Sequence, residues 1–263
     1  MDEPSILLTN DDGIESPGLR AVRDALADVG EVTVAAPAGD KSAVGRSLSH
    51  EVTVHDHELG YSIEGTPADC VVAGLESLAP ETDLVVAGCN RGANLGAYVL
   101  GRSGTVSAAV EATFFDVPAI AVSMYVPVRE YTDFTEIDDA DLRYDEAVRT
   151  TTYLAEHGIE AGVFDQCDYL NVNAPAADDD PAPLQVTRPS LEYEMTAERN
   201  GDAVTLHDHI WEQMADDDVP DPEGTDRRAV VDGAVSVSPL TAPHTTEHHD
   251  ALDALAERYD PLD

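Results

Sequence analysis

The sequence predicts an α/β protein with a mostly parallel sheet covered on both faces, and three observations carry that expectation. Short apolar runs recur: ILL at 6–8, DLVVA at 83–87 and VPAIAV at 117–122. Near-continuous apolar strands belong to sheets buried on both sides. Between the early runs lie amphipathic stretches, such as the one placing Leu19, Val22, Ala25 and Leu26 on one helical face. Strands that alternate with helices pair in parallel through crossovers. From Gln185 the pattern changes to short alternating pieces between acidic turns.

In chain order, the first strand ends in Asn10-Asp11-Asp12-Gly13, and Pro17 and Gly18 open the first helix. Residues 31–36 (EVTVAA) form a second strand that runs into the polar loop PAGDKSAVGRS. Residues 51–55 and 61–64 pair as a hairpin. In GTPADCV, Thr66 or Asp69 caps a helix carrying Val71, Val72, Leu75 and Leu78, with Pro67 in its first turn. DLVVA opens into GCNRGANLG, where Asn90 and Asn94 stand among glycines. Ser103, Gly104 and Thr105 start a small-residue helix, VSAAVEATFF. A surface helix is expected over 138–156, a strand over 169–172, extended hairpins over 185–228, a last strand over 230–239 and a closing helix over 250–259. Residues 1–184 are thus read as the catalytic core, 185–228 as an extended hairpin and oligomerisation segment, and 229–263 as a strand and helix returning to the core.

The 263 residues include 53 acidic and 14 basic ones, for a formal net charge of −39, with Lys41 the only lysine. Such a surface repels nucleic acid and anionic membranes. A hydrophobic content of 43% supports a real core rather than disorder. Acid spread along the whole chain matches proteins of a salt-rich cytoplasm, a halophilic composition. Cys70, Cys89 and Cys167 are far apart without metal-ligand spacing, and read as reduced core thiols. The start, MDEPS, has no basic n-region, and no apolar stretch approaches the roughly 20 residues of a membrane span. The expected location is the cytoplasm.

The polar clusters fall at equivalent places. Asp11 and Asp12 follow strand one, Ser42 follows strand two, and Asn90 follows DLVVA. Ligands of open parallel sheets collect beyond the carboxyl ends of the strands, so these four can meet in one crevice. They offer two carboxylates, one hydroxyl and one amide, an oxygen set that suits one hard divalent cation, Mg²⁺ or Mn²⁺. Zinc prefers His and Cys, which these loops lack in that role. Read alone, the aspartates also fit an Asx-type turn and Ser42 an ordinary loop serine. GDKS lacks the upstream glycine of a phosphate-binding P-loop. Asn94 and the helix start at Ser103, Gly104 and Thr105 can supply donors to an anion beside the cation; a simple N-cap explains the latter equally well in isolation. Cation, anion cradle and polar crevice together point to phosphoryl chemistry.

LLTNDDGIESPGL, APAGDKSAVGRS, GTPADCV, AGCNRGANLG and SGTVSAAVEA, in this order, resemble the SurE family of survival proteins. The resemblance is close over residues 5–125 and looser through YLNVN, QVTR and VSVSPL. It implies a Rossmann-like core with a C-terminal β-hairpin extension, and a metal-dependent 5′/3′-nucleotidase acting on nucleoside monophosphates. It maps metal ligands onto Asp11, Asp12, Ser42 and Asn90, phosphate-side residues onto Asn94, Ser103, Gly104 and Thr105, and implies a homodimer or homotetramer. AGCN stands where the family has SGIN, with the asparagine kept.

Asp11 and Asp12 are also the candidate catalytic residues; besides anchoring the cation, either can serve as general base or covalent nucleophile. His50, His55, His57, His244, His248 and His249 read as surface residues. Two alternatives remain at this level. A haloacid-dehalogenase-type phosphatase would work through an aspartyl-phosphate, but wants its aspartates one residue apart. A nucleotide-binding module on the same fold would bind without turnover.

Overall fold

The computed structural model describes residues 3–126, 142–175 and 180–242. Its strands are β1 (Ser5–Thr9), β2 (Glu31–Pro37), β3 (Val54–His57), β4 (Gly60–Ile63), β5 (Leu84–Arg91), β6 (Ala119–Met124), β7 (Tyr169–Ala174), β8 (Leu184–Val186), β9 (Met195–Asn200), β10 (Ala203–Asp208) and β11 (Val235–Leu240). Nine of them form one sheet in the order β3-β4-β2-β1-β5-β6-β7-β11-β8. Only the β3–β4 and β7–β11 pairings in it are antiparallel. β9 and β10 form a separate antiparallel hairpin.

The α-helices are α1 (Pro17–Leu26), α2 (Pro67–Ala73), α3 (Ala97–Leu100), α4 (Gly104–Thr113), α5 (Asp145–His157), α6 (His209–Ala215) and α7 (Asp226–Val231). Period-two alternation divides the sheet residues between two cores. Ile6, Leu8, Val34, Leu84 and Val86 pack with Leu19, Val22 and Leu26 of α1, and with Ala147 and Leu154 of α5. Leu7, Ala35, Val85 and Ala87 pack on the opposite face with Cys70 and Val71 of α2 and Val106 and Ala109 of α4. Both faces of the sheet are therefore covered. α1 forms where its apolar residues recur three and four apart, with Ser16 accepting from Leu19 N–H at 3.3 Å as its cap and Pro17 at its first position.

A third, smaller cluster joins Leu95 and Tyr125 to Ile210 and Met214 of α6 and Val230 of α7. The segment expected as extended hairpins thus contains one hairpin followed by these two short helices. Some boundaries differ from expectation. β6 starts at Ala119, because Pro118 has no N–H to give and contributes only its carbonyl, to Val85 N–H at 3.0 Å. The last strand starts at Val235, because 226–231 are helical and Gly233 turns the chain at φ 79°. The helix expected from 138 begins at Asp145 within the described residues; the closing helix over 250–259, and His244, His248 and His249 before it, lie outside them.

Candidate active site

In chain order β1 leads outward to β2 on one side, while β5, β6 and β7 build the other, so the strand order reverses between β1 and β5. The crevice beyond their carboxyl ends is where such sheets take ligands. The Asn10–Gly13 turn sits in that crevice. Asn10 is fully buried and closes the turn: its Oδ1 accepts from Gly13 N–H at 3.2 Å, and its Nδ2 donates to Gly13 O at 2.9 Å and Ser16 Oγ at 2.7 Å.

The two aspartates then diverge. Asp11 is 3% exposed and faces the start of α4, accepting from Thr105 N–H at 3.1 Å and from the Thr105 hydroxyl. The positive end of that helix favours a carboxylate. A Cβ on Gly104 would lie 2.8 Å from Asp11 Cβ and Oδ2, so glycine lets the helix start approach. Asp12 accepts from Arg91 N–H at 3.0 Å. Burial raises the proton affinity of both carboxyls, that of Asp12 to about 7, where the Asp11 charge adds to burial and Arg91 N–H opposes it. Asp40 adds its negative charge to both. A site this negative favours a cation.

The loop after β2 is tied to the same turn by Lys41 N–H, which donates to Asp11 O at 2.7 Å. Within it, Ser42 Oγ–H donates to Asp40 Oδ1 at 2.6 Å, so the hydroxyl proton is used and oxygen lone pairs remain. β5 shifts register between Ala87 and Asn90 against β6, a bulge that re-aims Asn90. The Asn90 amide nitrogen donates to Gly92 O, which leaves Oδ1 as the end turned away from that carbonyl. Asp12, Asp40, Ser42 and Asn90 all line one cavity of about 780 Å³. The donor set is oxygen throughout, and no group of three or more His, Cys, Asp or Glu is placed to hold a metal among the described residues. These residues fit a hard divalent cation held partly by neutral oxygens, and not a zinc-type site.

The remaining expected residues sit behind this surface. Asn94 donates its backbone N–H to Asn173 Oδ1 at 2.7 Å and its Nδ2 to Ser123 Oγ at 2.8 Å, while its carbonyl accepts from Asn171 and Asn173. Ser103 caps α4, accepting from Val106 N–H at 3.1 Å. Thr105 is spent on Asp11. Sequence reasoning passed over Asn10, Asp40 and five further residues that line the cavity, Ala93, Tyr125, Val126, Tyr144 and Trp211. The motif itself contains Asn10, and its amide at the head of an aspartate-glycine turn was an available signal; Trp211 had none, standing far along the chain from every motif.

The C-terminal segment braces the turn after Asn94. Asp226 accepts from Gly96 N–H at 2.7 Å, Ser190 N–H at 2.9 Å and Arg227 N–H at 2.8 Å. Arg227 is fully buried, donates to Glu192 O at 3.0 Å and pairs with Asp221 at 3.5 Å. A Cβ on Gly96 (φ 85°) would collide with the Arg227 guanidinium. Of the histidines expected at the surface, His55 and His57 pair there with Glu64 and Glu15.

Residues 6–195 match the family model described as Survival protein SurE. The chain belongs to the SurE family. A SurE protein of Haloarcula marismortui, named 5′-nucleotidase SurE, is 74% identical over all of this chain and 98% of its own length. One of the same name from Geotalea daltonii is 40% identical over 89% of this chain and 92% of its own. The crystal structure of the SurE protein from Aquifex aeolicus superposes with a TM-score of 0.77 at 30% identity, covering 98% of this chain and all of that one. The match therefore extends through the C-terminal helices and not only the motif-bearing half.

Proposed function

We propose that this chain is a 5′-nucleotidase that hydrolyses nucleoside 5′-monophosphates, and 3′-monophosphates also, to nucleoside and phosphate. The observation that carries the reading is the meeting of Asp12, Ser42 and Asn90 on one cavity, with Asp11 beside Asp12 in the same turn. The name borne by the Haloarcula relative at 74% identity supports it.

Asp11, Asp12, Ser42 and Asn90 would hold one Mg²⁺ or Mn²⁺ per subunit. Bound there, the cation supplies Lewis-acid polarisation of a phosphoryl oxygen and neutralises charge on the ester. Phosphate-monoester hydrolysis is among the slowest uncatalysed reactions, so positioning and electrostatics must supply a large share of the acceleration. Asp12, the aspartate that borders the cavity, would activate the attacking water, and Asp11 would help to hold the cation. The Asn94 amide has a second N–H beyond the one given to Ser123. None of Asn94, Ser103 and Gly104 is part of the cavity lining; they would supply donors to the phosphate oxygens where the ester reaches past it to the helix start. Thr105 acts through Asp11, whose carboxylate it orients.

Two further points go with this reading. Val186, Leu191, Val204 and Leu206 are exposed on β8, β10 and the stretch before β9. These exposed apolar side chains support assembly with second copies as a homodimer or homotetramer, checked by light scattering. Cys70, Cys89 and Cys167 are buried free thiols, which supports a reducing cytoplasm as the place of work.

The test is phosphate release from adenosine 5′- and 3′-monophosphate in molar salt. Turnover with Mn²⁺ or Mg²⁺, abolished by EDTA and restored by adding the metal back, is the expected result. Nucleotide binding without phosphate release under all these conditions would reduce the chain to a binding module.

A further inference from the structure

The cavity is larger than its polar floor requires. Ligand sites run to roughly 300–1,000 Å³, and about 780 Å³ exceeds what a phosphate and a cation occupy. Its lining mixes two chemistries. Asp12, Ser42 and Asn90 border it, and so do Tyr125, Val126 and Trp211. A hydrated phosphate gains nothing from aromatic rings, so these fit a different part of the ligand.

We propose that Trp211 and Tyr125 form a stacking wall for the nucleobase, so that the cavity takes nucleoside monophosphates in preference to phosphate esters without an aromatic group. The proposal rests on the nucleotidase reading and deepens it.

Trp211 is the chain's only tryptophan. A tryptophan on an amphipathic helix usually serves as a core plug, but α6 already has its plugs. Ile210 is fully buried and Met214 is 1% exposed, both in the cluster with Leu95 and Val230. Trp211 is partly buried against that cluster and borders the cavity. The helix is held at its start by Asp208, which accepts from Ile210 N–H at 3.2 Å and from the Tyr98 hydroxyl at 2.8 Å. Tyr125 is held by its own N–H, which donates to Ala174 O at 2.8 Å. Both rings therefore stand on fixed backbone, as a preorganised platform requires. Nucleobases are neutral and flat, so they suit this wall in a protein that is otherwise strongly anionic. Every base has a π-face, and stacking is sequence-tolerant. The wall thus predicts acceptance of several bases, with the larger purines ahead of pyrimidines.

The single tryptophan is its own reporter. Adenosine, which has no phosphate to lose, should quench the emission of the full-length, Mn²⁺-loaded protein, whereas inorganic phosphate should not. Unchanged emission at saturating adenosine overturns the proposal. In kinetics, Trp211→Ala should lower the ratio of kcat/KM for adenosine 5′-monophosphate to that for ribose 5-phosphate roughly tenfold to a hundredfold, and Trp211→Phe should restore most of it. A Trp211→Ala variant that loses both substrates equally, or neither, assigns the residue a structural role and overturns the proposal. If wild type releases phosphate from neither substrate, the nucleotidase reading fails by itself, and the adenosine titration still decides the wall.

Discussion

Thr105 and Asp11 lie 94 positions apart in the chain, yet the carboxylate accepts hydrogen bonds from both the amide and the hydroxyl of that threonine. Partners that orient a metal-holding carboxylate typically contribute about ten- to a hundredfold in metal affinity. Thr105→Val keeps the shape and the amide but loses the hydroxyl. Its half-saturating Mn²⁺ concentration should rise by roughly that factor, with melting temperature little changed; equal Mn²⁺ requirements would remove Thr105 from the site's support. Asp12→Ala should lower turnover by roughly a hundredfold to a thousandfold or more while circular dichroism stays native. Full activity would refute its assignment. That Asp12, Ser42 and Asn90 line one cavity was legible, because Asp12 and Ser42 come after β1 and β2 and Asn90 comes just after the apolar run DLVVA. What holds the two aspartates was not legible, because Thr105 reaches Asp11 and Arg91 N–H reaches Asp12 only through the fold.

At the scale of elements, α2 is stapled to the loop that carries Ser42. Asp69 accepts from Thr66 N–H at 2.8 Å, from Ser49 N–H at 2.7 Å and from the Ser49 hydroxyl at 2.8 Å, and Thr66 Oγ1 donates to Ser47 O at 2.7 Å. Burial pushes the Asp69 carboxyl up, but these bonds outweigh it and hold it below its ordinary 3.8. A lowered folded value gives stability that is complete above the unfolded value and is lost as pH falls through it toward the folded one. Asp69→Asn should therefore cost about 1–2 kcal/mol at pH 7. The gap in melting temperature between it and wild type should narrow as the pH drops below about 4. A gap independent of pH would mean the charge does nothing. GTPAD announced this helix, with its proline and its capping residues in place. α6 and α7 were not announced, because six or seven residues between acidic turns show less than two helical turns of periodicity.

Across the whole molecule, the sheet was legible because strands buried on both faces leave apolar runs, and the helices between them leave a stripe. The third cluster was not, since Leu95, Tyr125, Ile210 and Val230 come from four separate segments and none forms a run. A net charge of −39 on a folded surface is self-repulsive, and salt shortens the reach of that repulsion from about 10 Å at 0.1 M to about 3 Å at 1 M. The melting temperature should climb steadily between about 0.1 and 2 M KCl; a flat profile would show that the acidic surface carries no such penalty.

The Asp226 link to Gly96 bears on how the protein is made. Chains emerge from the ribosome amino end first and fold as they lengthen. The central strands can assemble while the last stretch is still being translated, but the turn at Gly96 has no amide acceptor until Asp226 arrives, and Arg227 must slide into the space that glycine leaves. A nascent chain would thus reach its shape before its competence, and one cut short before Asp226 would keep the five motifs of residues 5–125 and still lack the brace at the turn after Asn94.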